Sequence, residues 1–269
     1  MQIKTTGLVL KHRNIGENDR IVTFLTADLG VVEVSARGVK SVRSPLSGAA
    51  QLLAYSELCL YKGRQSYYIL NSAETVTSFY ELRLDVEKLA LASYFCQLAG
   101  CLSPGAETAG EFLRLLLNTL HLLQEGKLPA RQLKSIFELR ALSVGGFMPN
   151  LVGCTLCGEY QKPRMAFLPL EGLLLCGDCF PGSAYDREGT ILAALPEPVL
   201  AAMRHIVFSQ PERLFSFRLA GESLNQLSSV TEEYTLLHTE GVFKALELFH
   251  QMELPGPGAP TPNANGESQ

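Results

Sequence analysis

Four cysteines carry the sharpest chemical pattern in this 269-residue chain. Cys154 and Cys157 are separated by two residues, eighteen residues follow, and Cys176 and Cys179 repeat the spacing. Two intervening residues make a tight turn that aims both sulfurs at one point, and two such turns complete a tetrahedron, so the pattern predicts a four-thiolate zinc site. Gly158 and Gly177, beside the cysteines, are expected to allow the backbone of such turns. A site closed by four sulfurs leaves no position for water or substrate, so the expected role is a structural staple. A zinc nucleobase deaminase needs H-x-E before P-C-x-x-C; His238-Thr239-Glu240 follows both pairs, and neither pair has a preceding proline. No phosphate loop, nucleophile elbow or H-E-x-x-H pattern occurs, and the five histidines are scattered, so the chain is not expected to be an enzyme.

A second pattern could bind rather than react. In SARGVKSVRSPL, Arg37, Lys40 and Arg43 stand three residues apart with no acid among them. Gly38, Ser41, Ser44, Pro45 and Ser47 suggest a flexible loop offering backbone N–H groups beside three cations. Taken on these residues alone, a solvated loop and a phosphate cradle are equally open. The charge distribution bears on the choice, because residues 1–80 hold nine Lys/Arg against six Asp/Glu, a balance of +3, whereas the remaining 14 and 21 leave −7. A polyanionic partner would meet the N-terminal part. There, Arg13, Arg20, Lys62 and Arg64 fall at strand ends and loops, with Tyr55, Tyr61, Tyr67 and Tyr68 interleaved. A basic groove with exposed aromatics is how small barrels hold single strands, although each Tyr also suits a half-buried strand position.

The elements that must position these residues divide at about residue 80. TGLVLKH, RIVTFLTA, GVVEVSAR, LLAYSELCLY and SYYILNS are short, β-branched and aromatic, and separated by Gly, Asn, Asp and Pro. They predict five strands in a closed or nearly closed barrel over residues 1–80. After Glu81 the apolar period becomes 3.6, with helices expected over 81–102, over a segment opened by a Thr108/Glu111 capping box, and from Pro129 to Gly145-Gly146. Two more helical segments, 196–209 and 222–251, flank a strand-like LFSFRLA. The expected class is α+β: a barrel, then a helical domain over 81–252 with a zinc knuckle inserted at about 150–182. The Pro, Gly and Asn-rich tail, 253–269, is expected to be disordered. With no signal peptide near Met1, no apolar run long enough to span a bilayer, and an odd count of seven cysteines, the expected compartment is a reducing cytosol.

In order and local pattern together, GLVLKHRNIGENDRIVTFLTADLGVVEVSARGVKSVRSPL, then FELRALSVGGFMPNL, then the two C-x2-C pairs, the chain resembles the RecO family of bacterial DNA-repair and recombination mediators. The resemblance implies an N-terminal OB-fold, a helical domain and a zinc knuckle. It also implies binding of single- and double-stranded DNA near the nucleoid and annealing of complementary strands. The partners it implies are RecR, the C-terminal tail of single-strand binding protein and, indirectly, RecA. Carried onto this sequence, the DNA contacts are Arg37, Lys40 and Arg43, with Arg20 matching the GENDR element unless Asp19 holds it in an ion pair. An acidic, apolar partner tail needs cations beside apolar helix residues. KLPARQLKSIFELR offers Lys127, Arg131, Lys134, Phe137 and Arg140 as that patch, or as an ordinary amphipathic helix. The alternative for the whole protein is a zinc-stapled interaction scaffold that does not bind DNA.

Overall fold

The computed structural model describes residues 2–41, 43–62, 67–102, 104–239 and 241–253. Five strands, β1 (Gln2–Ile15), β2 (Asp19–Thr26), β3 (Gly30–Ala36), β4 (Tyr55–Lys62) and β5 (Tyr68–Thr77), close into a barrel in the order β1-β2-β3-β5-β4. That is the five-stranded barrel expected, with OB-type order. Closure depends on the length of β1, whose first half pairs with β4 and whose second half pairs with β2. A bulge between Val9 and Lys11 bends it between the two partners. The barrel's parallel junction, β3 with β5, aligns Val34 with Tyr68.

Alternation along the strands gives the barrel two apolar faces. Val9, Val22, Phe24, Val34, Leu58, Leu60 and Leu70 fill the interior, and Val39, Ala50 and Ala54 from the β3–β4 connection plug it. Leu8, Leu10, Leu25 and Leu53 instead join the core of the helices. Full burial of one such side chain is worth about 1.5–3 kcal/mol, so this shared core ties the barrel firmly to the helical part.

A short 3-10 helix (Tyr80–Arg83) leads into α1 (Val86–Leu102), α2 (Ala106–Glu125), α3 (Ala130–Val144), α4 (Glu197–Phe208), α5 (Gly221–Thr239) and α6 (Lys244–Glu253). Three local expectations are corrected. The helix over Ala106–Glu125 starts at Gly105, without a side-chain cap, and Thr108 lies inside its first turn. The segment expected as one helix over 222–251 is two, Gly221–Thr239 and Lys244–Glu253, with Phe243 buried just before the second. LFSFRLA forms no strand; the buried Gln132 amide donates to the Phe217 carbonyl (2.8 Å) and accepts from the Leu219 N–H (3.2 Å), replacing a strand partner. Between α3 and α4 a small sheet, β7 (Leu173–Cys176), β6 (Met165–Leu168) and β8 (Ala193–Leu195), carries the cysteine region. No described helix is long and apolar enough to cross a membrane.

Candidate nucleic-acid interface and metal centre

The four cysteines converge. All four sulfurs lie within 4.8 Å of one another, and Cys157 Sγ is 3.9 Å from Cys176 Sγ. Zinc–sulfur bonds of about 2.3 Å require sulfurs about 3.8 Å apart, so the cage fits that ion. The first turn closes when Gly158 N–H donates to the Cys154 carbonyl at 2.8 Å, with Gly158 at φ 75°, where a Cβ would be strained. The second closes through Cys179 N–H on the Cys176 carbonyl at 3.0 Å. Gly177 has a different purpose from the one expected: an added Cβ would sit 3.0 Å from Arg164 Cβ, so glycine makes room for that side chain.

Burial pushes the Cys154 thiol up, but N–H groups of Cys157, Cys176 and Leu156 outweigh it and bring it to about 6. Hydrogen bonds with Cys176 and Cys157, burial and the Cys154 thiolate hold Cys179 up at about 12. A cation shared by the four sulfurs would favour their thiolate forms, so binding it would release protons. The knuckle is anchored by Met165, Phe167, Leu174 and Leu175 in the helical core. Arg204 of α4, 7% exposed, adds a clamp that sequence reading missed. Its guanidinium donates to the Leu151 (2.8 Å), Val152 (3.3 Å) and Tyr160 (2.5 Å) carbonyls and stacks 3.8 Å from the Tyr160 ring centre. No spacing rule links residue 204 to the turn it closes.

The cationic loop is largely exposed and hydrogen-bonded at several of its described residues. Gly38 N–H donates to Asp19 Oδ1 (2.7 Å), Lys40 N–H to the Asn18 carbonyl (3.1 Å), and Ser41, Ser44 and Ser47 N–H close successive tight turns. These amides are engaged within the protein, so at them an anion would meet side chains rather than backbone. Arg37, Lys40 and Arg43 are exposed, as are Lys11, Arg13 and Lys62. Among the described residues, Arg13 alone of these has an acidic partner, Glu33 at 4.0 Å. Arg20 is half-buried and is not paired with Asp19; it donates to Asn14 Oδ1 (3.2 Å) and the Ala50 carbonyl (3.5 Å), pinning the loop's return. Arg64 lies outside the described residues. Of the aromatics singled out, Tyr61 is exposed, while Tyr55, Tyr67 and Tyr68 are half-buried.

The expected peptide patch on α3 is overturned by burial. Lys134 and Phe137 are 0% exposed, because α3 is packed against α1, α2, α4 and α5. Lys134 Nζ pairs with Glu138 Oε1 (3.1 Å) and Glu232 Oε2 (2.8 Å), and Tyr94 and Thr231 hydroxyls donate to Glu138. Arg140 donates to the Ile206, Val207 and Ser209 carbonyls at the end of α4 and pairs with Glu111, so it caps a helix. Arg131 is held by Glu253 at 2.6 Å and Asn225, and Lys127 by Glu125 at 2.9 Å. Lys134 and Phe137 are therefore closed to an acidic tail and Arg140 nearly so, while Lys127 and Arg131 reach the surface already paired.

Comparison with known proteins places both halves. Residues 1–79 match the family model described as Recombination protein O N terminal, and residues 83–247 the one described as Recombination protein O C terminal. The DNA repair protein RecO of Acetivibrio thermocellus is 31% identical over 251 residues, 93% of this chain and 97% of that protein. The protein of that name from Symbiobacterium thermophilum is 33% identical over 244 residues, 90% and 94%. That from Alkaliphilus metalliredigens is 28% identical over 249 residues, 92% and 98%.

Proposed function

Because the chain belongs to the recombination protein O family of DNA-repair proteins, we propose that it is a non-enzymatic mediator that binds single- and double-stranded DNA through its barrel and anneals complementary strands. The observation that carries this reading is the loop bearing Arg37, Lys40 and Arg43, exposed, without acidic partners among the described residues, and held in place by its own amides. Lys11, Arg13 and Lys62 extend the same charge. Fixed, hydrated cations neutralise phosphates and release their counterions, which drives sequence-independent binding. Two strands on one such surface repel each other less, and base pairing then selects the match.

In this reading the cysteine cage holds one zinc ion as a staple and performs no reaction, since four thiolates leave no open coordination position. The helical part would recruit RecR and the acidic tail of single-strand binding protein in the cytoplasm and so assist loading of RecA. The tail's seat must lie elsewhere than the buried face of α3. A fluorescently labelled oligonucleotide titrated with the full chain tests the proposal. Saturable binding that weakens with salt, with a logarithmic slope near about −3.5 for roughly five phosphate contacts, is expected. Absence of saturable binding at moderate salt would leave the scaffold reading in its place.

A further inference from the structure

We propose that Tyr80, positioned by Arg83 at the end of the cationic loop, is a base-stacking platform that gives this surface a preference for single-stranded over duplex DNA. The inference rests on the proposed DNA-binding function and carries the contact past the barrel into the linker before α1.

Two backbone outliers locate the feature. Among the described residues, Leu53 (φ 65°) and Phe79 (φ 43°) are the non-glycine residues in the left-handed region. Such conformations persist only where the surroundings enforce them, and they concentrate at functional sites. Here one side chain enforces both. Arg83 Nη2 donates to the Leu52 carbonyl and, at 3.2 Å, to the Ser78 carbonyl, the groups that directly precede the two outliers. Its Nη1 donates to Gln51 Oε1 at 2.5 Å, while the Leu53 and Phe79 side chains are buried. The guanidinium thus locks the return of the cationic loop against the exit of the barrel.

What the lock presents is Tyr80. The next turn buries Leu82 fully and leaves Tyr80 60% exposed, with Leu84 exposed one turn on. Among the described residues its ring has no aromatic neighbour. Arg83 binds Gln51 and Leu52, Arg20 binds the neighbouring Ala50 carbonyl, and Asp19 beside Arg20 binds Gly38 N–H. Hydrogen bonds therefore link Arg83, three residues past Tyr80, through the loop's return at Ala50 to the Gly38 amide, which lies between Arg37 and Lys40 in the chain. The His12 ring reports the same proximity: burial first, then Arg20 and Arg83 together, hold its protonation below the ordinary range. Phosphates would follow the cations, and Glu81, exposed beside Tyr80, leaves that end to a neutral base rather than to backbone. An unpaired base offers its π-face to the ring, whereas a paired and stacked base does not.

The test compares a labelled oligo-dT with a hairpin duplex of equal length, using the full chain and three variants: Tyr80→Ala, Tyr80→Phe, and Arg37, Lys40 and Arg43 together changed to Ala. Tyr80→Ala is expected to weaken oligo-dT binding about tenfold with the salt slope unchanged and duplex binding intact, and Tyr80→Phe to bind as the parent does. Parental oligo-dT binding by Tyr80→Ala, with the triple variant impaired, would overturn the platform and leave the DNA-binding reading standing. An equal loss on oligo-dT and duplex would also overturn it, as damage to the lock rather than loss of stacking. Parental binding by both Tyr80→Ala and the triple variant would remove the loop's role and the inference together, whereas no saturable binding by the parent itself would remove the DNA-binding reading.

Discussion

Two stretches of this chain carry the same cations in the same order, Arg, Lys and Arg, and use them in opposite ways. Arg37, Lys40 and Arg43 ride on a loop several of whose amides are satisfied internally, and their side chains reach solvent without counter-charge among the described residues. Arg131, Lys134 and Arg140 ride on α3, where Glu253, Glu138, Glu232, Glu111 and three carbonyls consume them. A cation surrounded by its own fold's acceptors serves stability; one held rigidly away from them is available to an outside anion. The difference lies not in residue type but in what the tertiary structure brings opposite each charge.

The largest expected effect tests the buried side. Lys134→Ala leaves Glu138 buried without its cation and should destabilise the fold by about 3–5 kcal/mol, read from urea unfolding, while the salt slope of DNA binding stays parental. A stable Lys134→Ala variant with weakened DNA binding would erase the distinction. Chelating the ion proposed for the cysteine cage comes next. A ligand that binds only the folded state at a hundred times its dissociation constant contributes about 2.7 kcal/mol, so stripping should lower the melting temperature of the helical part and leave the loop's salt slope unchanged.

A smaller effect concerns pH. Burial pushes Glu232 up, but the Lys134 ammonium and its hydrogen bond, with His250, outweigh it and hold the carboxyl below its usual value. A depressed folded value means its contribution is full above the ordinary carboxylate range and is lost as pH falls through the folded value. Burial raises Glu138, whose contribution runs the other way, fading as pH rises through its folded value. Urea midpoints of the parent should therefore fall more steeply below about pH 4.5 than those of Glu232→Gln; parallel curves would deny Lys134 its hold on Glu232. The smallest effect is at Arg13, whose exposed pair with Glu33 at 4.0 Å contributes little. Arg13→Ala should change stability by less than about 0.5 kcal/mol yet weaken DNA binding measurably.

The barrel was legible because period-two alternation and turn residues are local properties, and the cysteine cage because ligand spacing is itself the geometry. The three-stranded sheet was not, since MAFL and LLLC are too short and uniformly apolar to show a period. Residues 131–140 misled for a physical reason. An amphipathic pattern shows which face is apolar but not whether the polar face also meets partners, and Glu232 and Glu253 lie about a hundred residues away. Arg83 and Arg204 were invisible on the same ground. Each acts on backbone carbonyls, which every sequence contains, so no residue pattern announces them.

The central claim is that the loop's cations, unlike those of α3, are the ones an outside polyanion meets. The salt dependence of oligonucleotide affinity, measured for the parent and for the chain with Arg37, Lys40 and Arg43 changed to Ala, tests it most directly. Loss of three phosphate contacts should cut the magnitude of the logarithmic slope by about 2 and weaken binding most at low salt. A triple variant with the parent's slope and affinity would contradict the account.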